Sequence, residues 1–155
     1  MSRRAPASAW RFWGNIVLVS DEARLEYAYT RVGLTGDGGS TFFLPRLVGL
    51  RKAREIALLD EAIGPSEAVD LGFASEVVAN TDLGDRRRAV TEELASSPTH
   101  AYGELKRLLL ESFARGLEEQ LATETEAIAG ATATQDYERG YAAFFGEDSP
   151  EFEGH

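Results

Sequence analysis

The chain contains no cysteine, and only two of its 155 residues are histidine. Without thiols it can form no disulfide framework, no thiolate metal site and no cysteine nucleophile. Two histidines are too few for most zinc sites. We therefore expect no metal centre in this protein.

Basic residues are also scarce. Lys and Arg together number 16 against 26 Asp and Glu, which gives a formal net charge of −10. Affinity for nucleic acid comes largely from Lys and Arg contacts to phosphate, so we expect no nucleic-acid partner. The same charge opposes any anionic ligand, unless basic residues gather locally or another chain supplies them.

Long apolar runs are missing as well. Apolar runs such as Ile16–Val19 and Leu108–Leu110 are far too short to cross a bilayer, and no charged-then-apolar segment opens the chain. We expect no membrane association and a cytoplasmic location. The length of 155 residues suits one domain with a real core.

The first half of the chain has an α/β pattern. Residues 1–14 show no period, and we expect an irregular start. The apolar run Asn15–Val19 and the alternating run Arg24–Tyr29 predict two strands joined by a turn at Ser20–Glu22. A glycine-rich loop at Leu34–Thr41 then opens a helix, which Pro45 should limit.

The remainder becomes progressively helical. Leu50–Leu59 predicts a helix, Pro65 begins a short one that ends at Gly72, and Phe73–Val78 predicts a strand. From Asp82 the spacing of apolar residues predicts only helices, with Ser97-Pro98 capping the second of them and a loose acidic tail at the end. We divide the chain into residues 1–14, residues 15–80 and a helical region at residues 81–155.

Three segments resemble one known family. They are Val19–Leu25; Arg31–Thr41 with Leu44-Pro-Arg-Leu-Val-Gly49 after it; and Ser66–Gly72, which runs into Val77-Val78. Their order and spacing are similar to the second half of the enoyl-CoA hydratase/isomerase (crotonase) family. The resemblance implies the second half of a crotonase-like β/α spiral core, followed by an α-helical C-terminal trimerisation region.

The resemblance also implies a function. Crotonase enzymes bind an acyl-CoA thioester and stabilise the enolate that forms on its oxygen, with coenzyme A as part of the substrate and no separate cofactor. An intact member is expected to form trimers or hexamers. Whether this chain is an enzyme is left open by what precedes the matched segments.

Both oxyanion donors of the family lie before the matched region. The segment that should carry the second of them reads Arg4–Ala9 here, without glycine, and the aspartate expected after it is Asn15. Close approach of a backbone to a thioester needs glycine or a defined turn, and Pro6 has no N–H to offer. A shifted reading frame, a misplaced start codon or a short protein would each explain this.

Asp37 is the leading candidate for a catalytic residue. The resemblance places it in the loop where several isomerases and a dehalogenase of the family carry a catalytic aspartate, which could shuttle a proton between carbons of an enoyl chain. The alternative is that Asp37 is a turn residue before Gly38-Gly39 or a helix cap.

Tyr29 takes the position of the hydratases' second acid–base glutamate. Hydration uses a glutamate pair to activate water, so an isomerase is favoured over a hydratase. The alternative for Tyr29 is a packing residue whose hydroxyl is satisfied. Nearby Glu26 is expected to face solvent.

The loop glycines complete the predicted site. The resemblance puts substrate against Gly36, Gly38 and Gly39, together with Tyr29. Gly38, Gly39 and Ser40 should form a helix N-terminus with free N–H groups. The competing function is a non-catalytic crotonase remnant that acts only as an oligomerising module.

Overall fold

The computed structural model describes residues 14–146 and 149–155. The chain divides into two compact units between Arg87 and Arg88. The division falls inside a helix, α3 (Leu83–Ala95), rather than at residue 80. The predicted irregular start at residues 1–14 lies, except for Gly14, outside the described residues.

A short parallel sheet organises the first unit. β1 (Leu18–Ser20) pairs with β2 (Glu76–Val78), and Val19 lies opposite Val77. Both strands are short and rich in aliphatic residues, which suit a pleated surface packed on one side. Val19 and Val78 are buried, so the sheet contributes directly to the core.

The predicted second strand at Arg24–Tyr29 is wrong. Only Leu25 makes a ladder contact there, an isolated antiparallel bridge to Ile63. Beyond it the backbone turns, because the Tyr29 N–H donates to the Tyr27 carbonyl and Ala28 adopts φ 59°. The predicted turn after β1 is confirmed by a 2.9 Å hydrogen bond from Ala23 N to Ser20 O.

Two helical segments form α1 (Ser40–Leu59), and a kink at Gly49 separates them. Gly49 has φ 76° and ψ 155°, a conformation that favours glycine. The interruption was expected at Pro45, but the helix continues through it, although Pro45 has no N–H to donate to the carbonyl of Thr41, four residues earlier. α2 (Pro65–Asp70) follows, and Gly72 comes after it with φ 77°.

The core of the first unit lies where the sheet meets α1 and α2. Its members are aliphatic residues that are less than a tenth exposed, and burying each larger one stabilises the fold by about 1.5–3 kcal/mol. They are Val19, Leu44, Ala53, Ile56, Ile63, Ala68 and Ala74.

The second unit is helical, as predicted. Its helices are α4 (Thr99–Glu111), α5 (Leu117–Ala131) and α6 (Gln135–Phe145), with a 3₁₀ turn at Ser112–Ala114. The described residues contain no helix that is long and apolar enough to cross a membrane.

The caps of these helices differ from expectation at one place. Ser97 does not cap α4, because its hydroxyl donates to the Glu93 carbonyl in the last turns of α3 at 2.7 Å. Thr134 does cap α6, since its hydroxyl oxygen accepts from the Tyr137 N–H at 3.1 Å.

The C-terminal tail is not loose where the structure describes it. The Asp136 N–H donates to the His155 carbonyl at 3.0 Å, and the Asp136 carboxylate accepts from the N–H groups of Glu153 and Gly154, each at 2.8 Å. The tail therefore folds back onto the first turn of α6. A sequence pattern gave no sign of this, because the contact joins residues 17 and 18 positions apart.

Candidate active site

The glycine-rich loop ends at the N-terminus of α1. Gly38 and Gly39 take φ 54° and φ 80°, left-handed conformations that glycine adopts without strain. The helix begins at Ser40, as predicted. The Ser40 N–H is not free, however, because it donates to the Asp37 carbonyl at 2.9 Å.

Gly36 is packed too closely to carry a side chain. A Cβ atom there would lie 1.9 Å from the Tyr27 hydroxyl oxygen and 2.3 Å from Ser40 Oγ. Those two hydroxyl groups are 3.3 Å apart and share a hydrogen bond, and Ser40 is fully buried. Tyr27 thus packs against the beginning of the loop that holds Asp37.

Tyr29 binds the candidate base directly. Its hydroxyl donates to Asp37 Oδ1 at 2.5 Å, a length typical of a strong hydrogen bond to a carboxylate. The rings of Tyr27 and Tyr29 meet edge to face, with their centroids 5.0 Å apart. The structure therefore brings together Tyr29 and Asp37, which sequence reasoning had proposed separately.

A strained turn at Ala28 sets the directions of the Tyr27 and Tyr29 side chains. The Tyr29 N–H donates to Tyr27 O at 2.8 Å across Ala28, whose φ is 59°. A three-residue turn with positive φ at its centre is rare, and such strain persists only where surrounding contacts impose it. Strained backbone of this kind clusters at functional sites.

Asp60 and Arg31 impose that turn. The Ala28 N–H donates to Asp60 Oδ1 at 2.8 Å, and Asp60 is only 6% exposed. Arg31 Nε lies 2.5 Å from Asp60 Oδ2, while Arg31 Nη2 donates to the Asp60 carbonyl at 2.8 Å. Sequence reasoning missed both residues, because nothing in a single sequence links positions 29 apart.

Glu26 does not face solvent, so that expectation is wrong. Its side chain is 15% exposed, and Oε2 lies 2.9 Å from Arg31 Nη1. Ion pairing with Arg31 is what permits this burial. The carboxylate thus belongs to the same network that holds the strained turn.

Glu26 and Tyr29 line an apolar cavity of about 230 Å³ in the first unit. Most of its other walls are aliphatic or aromatic side chains, among them Val17, Leu25, Leu44, Leu47, Ile56, Ile63 and Phe73. Apolar cavities with a few polar groups at one side are the usual form of small-molecule sites. Asp37 and the loop glycines are not among its walls. Asp37 connects to the cavity through Tyr29, and Gly36 packs against Tyr27, which also lines it.

The region predicted to lack the family's oxyanion donors, Arg4–Ala9, lies outside the described residues. The catalytic role of Asp37 and the substrate contacts of Gly36, Gly38, Gly39 and Tyr29 stay predictions. What the structure adds is their arrangement: one carboxylate, held by one phenol, at the start of α1.

Comparison with known proteins identifies the family. The chain matches the enoyl-CoA hydratase/isomerase family over residues 12–155 and belongs to it. It is 33% identical over 140 residues to a protein of Rhodobacter capsulatus named probable enoyl-CoA hydratase. It is 31% identical over 141 residues to the 1,2-epoxyphenylacetyl-CoA isomerase of Escherichia coli.

The chain spans about half the length of these relatives. The matches cover 90% and 91% of this chain but only 54% of each relative. The crystal structure of an enoyl-CoA hydratase/isomerase from Cupriavidus metallidurans superposes with a TM-score of 0.89 at 30% identity, covering 97% of this chain and 58% of that one. The fold predicted from the resemblance, a partial α/β crotonase core with a helical C-terminal region, is confirmed.

Proposed function

We propose that this chain is the part of an acyl-CoA isomerase that carries the proton-transferring carboxylate, Asp37. The observation that carries the proposal is the hydrogen bond from Tyr29 to Asp37 Oδ1. Among the described residues no hydrogen bond reaches Asp37 Oδ2, and Asp37 is exposed. One oxygen is therefore held in place while the other can meet a substrate.

The chemistry follows from a single carboxylate. Asp37 would take a proton from a carbon of the acyl chain, and the electrons of that C–H bond would move into the thioester to give an enolate. The protonated carboxyl group would then return the proton to another carbon of the conjugated system. The double bond would shift with no change in overall composition, which requires one proton carrier and no added water.

Hydration fits the chain less well than isomerisation. It uses two acid–base glutamates, and Tyr29 stands at the position of one of them. The relatives include both chemistries by name. The Rhodobacter capsulatus protein is a probable enoyl-CoA hydratase, whereas the Escherichia coli protein is a 1,2-epoxyphenylacetyl-CoA isomerase and a Streptococcus mutans protein that is 27% identical is a trans-2-decenoyl-[acyl-carrier-protein] isomerase. The apolar cavity beside Tyr29 supports a substrate with a hydrocarbon or aromatic acyl group.

The test is the Asp37→Asn substitution in the native protein, expressed from its complete gene. Asn preserves shape and turn-forming capacity but cannot accept the proton. Turnover of a 3-enoyl-CoA to the 2-enoyl isomer should fall by about 10² to 10⁴, with KM changed only a few-fold. Asp70→Asn, at an exposed carboxylate elsewhere in the first unit, should leave turnover unchanged.

An Asn variant that isomerises within tenfold of the parent would show that Asp37 is a turn residue. Fast hydration of crotonyl-CoA by the parent, near 10 per second, would show that the chemistry was assigned to the wrong class.

A second candidate function rests on a different observation. Tyr137, Tyr141 and Phe145 form a continuous aromatic row along α6, with ring centroids 5.8 Å and 4.9 Å apart, and Phe144 beside it is 81% exposed. Exposed aromatic patches favour association. We propose self-association through this face, as a trimer or hexamer in an intact enzyme, or as the whole function if the chain is non-catalytic. A cytoplasmic location stays a prediction.

A further inference from the structure

Tyr29 has a hydroxyl group that isomerisation by one carboxylate does not require. We propose that Tyr29 is a positioning residue that fixes the carboxylate of Asp37 through its hydroxyl, so that Oδ2 alone serves as proton acceptor. The proposal rests on the proposed function of Asp37 and adds to it how the base is oriented.

The geometry of the pair carries the first step. Asp37 lies on an exposed loop between glycines, where nothing in the backbone restricts its side chain to one rotamer. The 2.5 Å hydrogen bond from the Tyr29 hydroxyl ties Oδ1 to a ring that is itself only partly exposed. With Oδ1 bonded to Tyr29 and no hydrogen bond to Oδ2 from the residues that the structure describes, the carboxylate presents Oδ2 to a substrate.

The support behind Tyr29 carries the second step. Its carbonyl accepts the N–H groups of Val32 and Leu34, at 3.2 Å and 3.0 Å. Its N–H is used in the strained turn at Ala28, which the buried Asp60 holds. A tyrosine that only packs needs no particular hydroxyl direction and hence no strained backbone. A tyrosine that must donate to one carboxylate oxygen needs its hydroxyl held in one direction.

Tyr27 makes a comparable contact with the same loop. Its hydroxyl shares a hydrogen bond with the buried Ser40 and fills the space above Gly36. The two tyrosines of the turn therefore contact the glycine-rich loop at two neighbouring residues, Gly36 and Asp37. The loop is fixed by side chains that come from a single strained turn.

The hydrogen bond also sets a chemical requirement. The Asp37 carboxylate can accept a proton from the substrate only while Oδ2 faces it, and the hydrogen bond to Oδ1 sets that direction. Removing the hydroxyl while keeping the ring should therefore reduce turnover without loss of substrate binding. A purely structural role of the ring predicts no such loss of turnover.

The first experiment measures turnover in the native protein with Tyr29→Phe. We expect kcat for double-bond isomerisation to fall about tenfold, with KM within about threefold, because hydrogen bonds to charged groups commonly have an effect of this size. Tyr102→Phe, whose hydroxyl makes no hydrogen bond within residues 14–146 and 149–155, is the matched control and should change neither quantity.

The second experiment needs no activity. Tyrosines are labelled with ¹³C at Cζ, and the Tyr29 signal is assigned by its absence in Tyr29→Phe. In Asp37→Asn the Tyr29 signal should move, because a charged acceptor becomes neutral, while the Tyr102 signal should not. An unmoved Tyr29 signal would overturn the proposal whatever the enzyme does.

The outcomes separate the two ideas. If Asp37→Asn abolishes isomerisation but Tyr29→Phe stays within twofold of the parent in kcat, Asp37 is the base and Tyr29 does not position it. If Asp37→Asn is fully active while the Tyr29 signal responds to it, the hydrogen bond is structural and both the catalytic role and the positioning role are wrong.

Discussion

The two units of this chain are stabilised in different ways. Every buried aliphatic residue among the described positions belongs to the first unit, from Val19 to Val78. In the second unit the buried residue is a carboxylate, Asp136, while large apolar side chains such as Leu117 and Phe144 are 75% and 81% exposed. The first unit has an apolar core of its own, whereas the helices of the second unit expose large apolar side chains.

The difference shows which kind of structure can bury its apolar side chains without a further partner. A sheet with two helices against it buries apolar area locally, whereas amphipathic helices need a neighbour. The strained turn at Ala28 and the pair of Tyr29 and Asp37 lie in the first unit, where the core can compensate for their cost. The proposed chemistry is thus located in the better-packed unit.

Leucine truncation should expose this contrast most strongly. Leu44 is 3% exposed and Leu117 is 75% exposed. Leu44→Ala should lower the free energy of unfolding by about 3 kcal/mol, because it removes buried methyl groups and leaves a cavity. Leu117→Ala should change it by less than about 0.5 kcal/mol.

Urea denaturation of the two variants and the parent measures these changes. Similar losses for both variants would mean that Leu117 is buried in an assembly, and the contrast between the units would then vanish in solution.

A charge placed on the aromatic face of α6 should weaken self-association without unfolding the chain. Phe144→Glu places a carboxylate on a side chain that is 81% exposed, so the fold should tolerate it. Self-association should weaken by about tenfold or more, since aromatic residues dominate interface energies. Gln135→Glu adds the same charge at the start of α6 and serves as control.

Sedimentation velocity over a range of concentrations would follow this change. A parent that sediments as a sharp monomer at every concentration would contradict the proposed face, as would a Phe144→Glu variant that assembles like the parent.

The sequence was sufficient for much of the fold, because short motifs specify local geometry. The start of α1 at Ser40, the short helix that begins with Pro65 and the positive φ of Gly72 follow from glycine and proline chemistry. The strand predicted at Arg24–Tyr29 failed because alternating apolar residues there serve core packing, and the turn that replaces it depends on Asp60 from another element. Alternation cannot distinguish these two cases.

The candidate site was predictable in its members but not in its connections. Asp37 and Tyr29 were proposed from the resemblance, while their hydrogen bond was not. Arg31, Asp60 and the partly buried position of Glu26 were missed, because they depend on contacts between separate segments. The identity of a charged residue does not reveal whether its side chain faces solvent or stabilises a turn.

The carboxylate of Asp136 gives the last comparison, since it holds the tail in the second unit, whose described residues include no buried apolar side chain. The N–H group of Glu153, together with that of Gly154 and the Arg139 guanidinium, holds the pKa of Asp136 below its ordinary value of 3.8. A group whose pKa is lower in the folded state adds stability above its unfolded pKa and loses it as pH falls through the folded value. The contribution should therefore be complete at neutral pH and decline from about pH 4 downward.

Asp136→Asn should lower the melting temperature at pH 7 by roughly 5 °C, because Asn keeps the size of Asp but not the charge that accepts two N–H groups and pairs with Arg139. At pH 3 the gap between variant and parent should narrow, since the parent's carboxylate is then partly protonated. Glu138→Gln is the matched control, because its carboxylate lies exposed in the same first turn of α6. Melting curves recorded from pH 7 to pH 3 that stay parallel for Asp136→Asn and the parent would show that the tail is held by Phe152 against Gly140 rather than by the charge of Asp136.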